Sequence, residues 1–250
     1  MLVFALLAAL VGGCTPSGGG DSAAKTNKVE ASAVVIGMEN SKWAGSCPGA
    51  HVDATNMYRE FSNRFTDVAL FEDAKATKSA VKAALTKAAQ SDFMVLFYSG
   101  HGGSEAFKDT GPEEIDGHDE FLCLYDTYLR DNELWSIISS AKGKVWLIFD
   151  CCHSETMFRS VGFSMKMVEA SALADSGVNM LCWSGCSDAN YSYGDSGGGK
   201  FTSAFFRRLN TNYTYDEMWK KLESDHELKS YQIIKRTKIG TKFDKVNIFK

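Results

Sequence analysis

Proline is scarce in this chain, with 3 in 250 residues, and no apolar run approaches the ~20 residues needed to span a bilayer. Few prolines beside 44% apolar residues exclude a disordered or low-complexity chain and leave a globular one with a sizeable core. An excess of basic charge is also missing. The 27 Lys and Arg against 31 Asp and Glu give a net charge of −4, which excludes an electrostatic footprint for nucleic acid or an anionic membrane surface. Seven Cys fall far below the ~8–10% of a disulfide scaffold, yet the number is odd and Cys151 and Cys152 are adjacent. Each thiol therefore needs its own explanation.

The amino terminus takes one of them out of the fold. Leu2 to Val11 is almost wholly apolar and about half a membrane span long, so it reads as the core of a signal peptide, although no Lys or Arg precedes it. Val11-Gly12-Gly13-Cys14 follows, and small residues directly before a Cys resemble the lipobox of bacterial lipoproteins. That resemblance implies a signal peptide over residues 1–13, lipidation of Cys14 and a place in the bacterial cell envelope, periplasmic or at the cell surface. Gly18-Gly19-Gly20 and its polar neighbours then make a flexible tether over residues 14–28, with a single domain expected over 29–250. The alternative, a buried N-terminal element with Cys14 as filler, fits the abrupt Gly/Ser stretch poorly.

After the tether, short β-branched runs alternate with amphipathic stretches, the pattern of an α/β layer structure. Strands are expected at Ala33 to Gly37, Val68 to Phe71, Phe93 to Ser99, Glu120 to Tyr125, Val145 to Phe149 and Asn179 to Trp183. Helices are expected at Asp53 to Phe65, Thr77 to Gln90, Asp131 to Ser140, Phe201 to Leu209 and Tyr215 to Ser224. Phe93 to Ser99 and Val145 to Phe149 are apolar nearly throughout, as central parallel strands covered on both faces must be. The fold class is α/β, with a mainly parallel sheet of about six strands and helices on both faces.

Two of these strands run into chemically loaded turns, where an open parallel sheet gathers its functional groups. One ends in Tyr98-Ser99-Gly100-His101-Gly102-Gly103 and the other in Asp150-Cys151-Cys152-His153-Ser154. Adjacent strands would bring His101 and Cys152 together. A thiol is the best side-chain nucleophile near neutral pH, and an imidazole within reach raises its thiolate fraction and protonates a departing amine. Glycines around His101 free backbone N–H groups for a developing oxyanion.

These two blocks, 51 residues apart from His101 to Cys152, resemble the catalytic blocks of the metacaspases and related caspase-like peptidases. The resemblance extends to Gly49 to Ala54, Asp119-Glu120, Gly185 to Asp188 and Phe201 to Ala204, so it covers about Ala31 to Leu209. It implies a caspase-like fold, with Cys152 as nucleophile, His101 as its partner and the N–H groups of Gly102 and Cys152 as the oxyanion hole. Asp53, Ser99 and Asp150 match positions lining the P1 pocket, and two carboxylates there favour Arg or Lys and repel Asp. The expected activity is a monomeric cysteine endopeptidase acting on peptides or proteins with a basic P1, self-processing at Arg159, Lys166 or Lys200, which lie in expected loops. Many metacaspases bind activating Ca²⁺ at positions matching Asp119, Asp131, Asn132 and Arg159. Because two of these are not carboxylates here, no metal or other cofactor is expected and activity should need no Ca²⁺.

Other readings remain beside these. Glu155 replaces the Gly that usually follows Cys-His-Ser, and the alternative function is a catalytically inactive caspase-like surface lipoprotein that binds peptide or protein. Asp53 also sits where a helix N-cap would. Cys151 should face the core, and Cys182 and Cys186 either pair or stay as buried thiols, their spacing being wrong for zinc. Gly194-Asp195-Ser196-Gly197-Gly198 copies a serine-protease motif, but the helical stripes exclude the double β-barrel that chemistry needs, so it reads as a Gly-rich loop near the cleft.

Overall fold

The computed structural model describes residues 28–105, 119–152, 154, 177–186 and 192–250. Its elements in chain order are β1 (Val29–Gly37), α1 (Ala50–Arg64), β2 (Phe65–Glu72), α2 (Lys78–Ala88), β3 (Phe93–Ser99), β4 (Gly102–Glu105), β5 (Asp119–Cys123), β6 (Tyr128–Arg130), α3 (Asp131–Ile138), β7 (Lys144–Asp150), β8 (Asn179–Ser184), β9 (Gly194–Asp195), β10 (Gly198–Gly199), α4 (Lys200–Arg208), α5 (Tyr215–Glu223), α6 (His226–Tyr231) and β11 (Lys235–Ile239).

The central sheet has six strands in the order β11-β8-β7-β3-β1-β2, parallel throughout except for β11. Alternating side chains divide the core in two. Val34, Ile36, Leu96, Leu147 and Phe149 meet Val81 and Leu85 of α2 and Leu134 of α3, while Val35, Val95, Phe97, Trp146 and Trp183 meet Phe61 of α1, Phe205 of α4 and Met218 of α5. β3 and β7 are covered on both faces, which explains their unbroken apolar sequence. Trp146 packs edge-on against Trp183 at 5.1 Å and Tyr215 at 5.0 Å, so truncating it to Ala should cost about 3–5 kcal/mol. Among the described residues no helix is long and apolar enough to cross a membrane.

The structure departs from expectation in three places. The run from Glu120 to Tyr125 leaves the central sheet: β5 pairs with β4 and β6 in a separate antiparallel sheet. Only Leu124 to Thr127 separate β5 from β6, too few residues for a parallel crossover. The sixth central strand is instead β11, a basic edge strand whose outward charges hide it from an apolar search and blunt the exposed edge. Finally, α1 starts at Ala50 after Gly49, whose φ of 94° is the left-handed region. Asp53 is therefore inside the first turn and is not the N-cap.

Candidate active site

Strands β3 and β7 lie side by side with Ser99 paired to Asp150, so the chain leaves both at the same level. His101 and Cys152 follow two residues later and line one cleft of about 190 Å³, together with Asp53, Ser99 and Asp150. The structure thus brings all five expected side chains together. Gly102 approaches even more closely. A β-carbon on it would lie 2.2 Å from the Cys152 carbonyl oxygen and 3.2 Å from Cys151 Sγ.

His101 is held from both sides. Tyr98 Oη donates to its carbonyl oxygen at 2.7 Å and shares that proton with the Cys123 carbonyl at 2.8 Å. Its Nε2 lies 3.3 Å from the Ser46 carbonyl oxygen. A carbonyl only accepts, so this contact puts a proton on Nε2, and in the neutral ring the lone pair is then on Nδ1.

Cys152 is half-buried, and burial raises its thiol above the ordinary 9.0 while the Ser192 N–H, 3.4 Å from Sγ, pulls the other way. At rest this group is a thiol, so any attack by Sγ would need its proton to leave to a base. Cys47 lines the same cleft, and there burial, followed by the charges of Asp150 and Cys152, pushes the thiol up to about 11. It stays protonated and competes poorly.

Two buried carboxylates form the cleft floor. Asp53 Oδ2 accepts from Ser99 Oγ at 2.7 Å and from the Gly199 N–H at 2.9 Å. Asp150 accepts from Ser192 Oγ at 2.6 Å and from the Thr202 N–H and Oγ1 at 2.9 and 2.8 Å. Burial, then the charge of Asp150, pushes Asp53 up to about 8. Burial raises Asp150 as well, against its three donors. At neutral pH the resting pair therefore shares a proton.

The serine-protease-like motif has a different purpose here. Its glycines form the tight β9–β10 pair that lies directly on these carboxylates. A β-carbon on Gly198, at φ 120°, would lie 2.5 Å from Asp53 Oδ1, and one on Gly199 2.1 Å from Asp150 Oδ2. Only bare backbone fits there.

Cys151 is buried in the core as expected, and Cys182 and Cys186 are separate buried thiols, with Cys186 Sγ directed at the Cys151 carbonyl. Lys200 is corrected: it begins α4 and pairs with Asp195 at 3.2 Å rather than lying in a loop. Cys14, His153, Glu155, Arg159 and Lys166 lie outside the described residues. Ser46, Ser192, Thr202 and Gln232 are site residues that the sequence did not reveal. Thr202 alone had a signal, its place in the Phe201 to Ala204 block.

Residues 30–240 match the family described as caspase domain. The chain belongs to the caspase domain family. No curated protein matches the sequence. Among solved structures, the chain is similar to a Geobacter sulfurreducens protein at 26% identity and a TM-score of 0.67, covering 85% of this chain and 94% of that one. It is also similar in fold to caspase-1 from Spodoptera frugiperda, at 14% identity and a TM-score of 0.57 over 84% of this chain and 86% of the other. The pro-form of that caspase gives 13% identity, a TM-score of 0.51 and coverages of 84% and 87%. The six-stranded, mostly parallel sheet is thus the central sheet of a caspase-like fold, and the chain is a member of a cysteine-peptidase family.

Proposed function

We propose that this caspase-family protein is a cysteine endopeptidase that cleaves after Arg or Lys. The observation that carries the reading is the pair of buried carboxylates, Asp53 and Asp150, in the same cleft as Cys152 and His101. A cationic P1 side chain entering there displaces the shared proton and meets two charges, whereas an acidic side chain meets repulsion. Ser99, the last residue of β3, donates to Asp53 and completes the pocket.

In this mechanism Cys152 Sγ attacks the P1 carbonyl carbon while His101 Nδ1 takes the thiol proton. The N–H groups of Gly102 and Cys152 receive the oxyanion. His101 returns the proton to the leaving amine, the C–N bond breaks, and a thioester remains. Water then adds with His101 as base, releasing the carboxylate product and the thiol.

Fluorophore release from matched peptides ending in Arg, Lys or Asp tests this reading. Arg and Lys substrates should turn over and the Asp substrate should not, and both Cys152→Ala and His101→Ala should abolish turnover. Activity surviving in Cys152→Ala would refute the mechanism, and a preference for Asp would refute the pocket. No turnover, with no labelling of Cys152 by an Arg-bearing electrophile, would favour the binding-module alternative.

Two further expectations belong to the same proposal. Self-processing is placed at Arg159 or Lys166, and mass spectrometry should find the cleaved chain in the wild type and the intact chain in Cys152→Ala. Cys14 is proposed as the lipid anchor that holds the protein in the bacterial cell envelope, so palmitate incorporation should disappear in Cys14→Ser.

A further inference from the structure

One segment touches both the nucleophile and the carboxylate pair. The Ser192 N–H points at Cys152 Sγ at 3.4 Å, and the Ser192 hydroxyl donates to Asp150 Oδ1 at 2.6 Å. That segment lies against Gln232, a 6% exposed residue at the end of α6, just before edge strand β11. Both ends of the Gln232 amide are used. Nε2 donates to the Gly185 carbonyl at 2.6 Å and to Ser192 Oγ at 3.2 Å, while Oε1 accepts from the Tyr193 N–H at 2.9 Å.

The direction of these bonds matters. A hydroxyl has one proton, and with Nε2 donating to Ser192 Oγ that proton is committed to Asp150. The Tyr193 N–H belongs to the Ser192–Tyr193 peptide unit, so Gln232 holds both the Ser192 hydroxyl and the backbone on its carboxyl side, and through them the Cα that carries the Ser192 N–H. A buried amide with three partners spread over Gly185, Ser192 and Tyr193 does more than fill space, because a hydrophobic side chain would satisfy none of them.

We propose that Gln232 is a positioning residue that holds Ser192 between the nucleophile and the carboxylate pair, so that one segment sets both the ionisation of Cys152 and the hydrogen bonding of Asp150. The inference rests on Cys152 being the nucleophile, as proposed above. It adds that the C-terminal part of the chain, far from both catalytic blocks in sequence, tunes the thiol.

The test is the pH profile of iodoacetamide alkylation in the full chain, read at Cys152 by peptide mass spectrometry. It needs no substrate, so it stands whether or not cleavage after Arg or Lys is found. Gln232→Met keeps the buried volume and removes the hydrogen bonds. Loosening the Ser192 N–H removes a donor to the thiolate, so the alkylation midpoint should rise by about half a unit or more. Asp225→Ala weakens the other end of α6 without touching Ser192, and it should lower the melting temperature while leaving the midpoint in place. A folded Gln232→Met with the wild-type midpoint overturns the proposal, as does an equal shift in Asp225→Ala. Failure of Gln232→Met to fold would make Gln232 a structural residue and overturns it too.

Discussion

Gly102 and Cys152 touch backbone to backbone: a β-carbon on the glycine would stand 2.2 Å from the carbonyl oxygen of the cysteine. The turn carrying the imidazole and the turn carrying the thiol are therefore set against each other by the absence of a side chain. Gly102→Ala should force them apart by a fraction of an ångström to an ångström. Misplacement on that scale costs about 10²-fold in kcat/KM, which steady-state kinetics on an Arg substrate would measure against an unchanged circular dichroism spectrum. A wild-type rate in the alanine variant would show that the contact does not position the dyad.

Asp53 makes stability fall with pH. Its carboxyl is raised from the ordinary 3.8 to about 8 by burial and the charge of Asp150, so the folded chain binds this proton more tightly than the unfolded chain. The group's contribution is fully present below about pH 4 and is lost as pH climbs towards 8. Asp53→Asn should flatten the decline in melting temperature between pH 5 and 8. For the same reason KM for an Arg substrate should improve as pH rises towards 8 in the wild type, and this dependence should vanish in Asp53→Asn.

Asp225 works with the opposite sign. Burial alone would raise it, but hydrogen bonds from Arg207, the Leu228 N–H and Arg208 outweigh burial and hold it near 2. Its contribution is present above about pH 4 and is lost as pH falls through 2. Asp225→Ala removes a helix cap, takes away the carboxylate that Arg208 pairs with and leaves Arg207 with Glu227, so chemical denaturation should report a loss of about 2–3 kcal/mol.

Turnover should be the same in excess chelator and in millimolar Ca²⁺. By the resemblance to metacaspases, Asn132 and Arg159 match Ca²⁺-ligand positions in the sequence, and neither is a carboxylate. Fluorescent-substrate titration decides the point, and activity confined to added Ca²⁺ would reverse the expectation.

The parts of the fold legible in the sequence are those where burial imposes a period. β3 and β7 are apolar because both faces are covered, and α2 presents Val81 and Leu85 to one core, so their patterns were unambiguous. β11 carries Lys235, Arg236 and Lys238 because an edge strand needs no such period, and it stayed hidden. His101 and Cys152 were legible through the turns that end apolar strands. Ser192 and Gln232 were not, since polar residues in irregular segments become a site only when distant chain is packed against them. The position of Asp53 was ambiguous for a different reason: α1 begins at a left-handed glycine, a signal that apolar spacing does not carry.

The Gly199 N–H that donates to Asp53 joins residues 146 positions apart, and the Thr202 donors reach back 52 positions to Asp150. During synthesis the ribosome delivers His101 and Cys152 well before either donor exists. At about 5–20 residues per second, the nascent chain spends seconds with both catalytic blocks made and the carboxylate pair still unsupported. The order of translation thus withholds a finished cleft until the rest of the fold has been made.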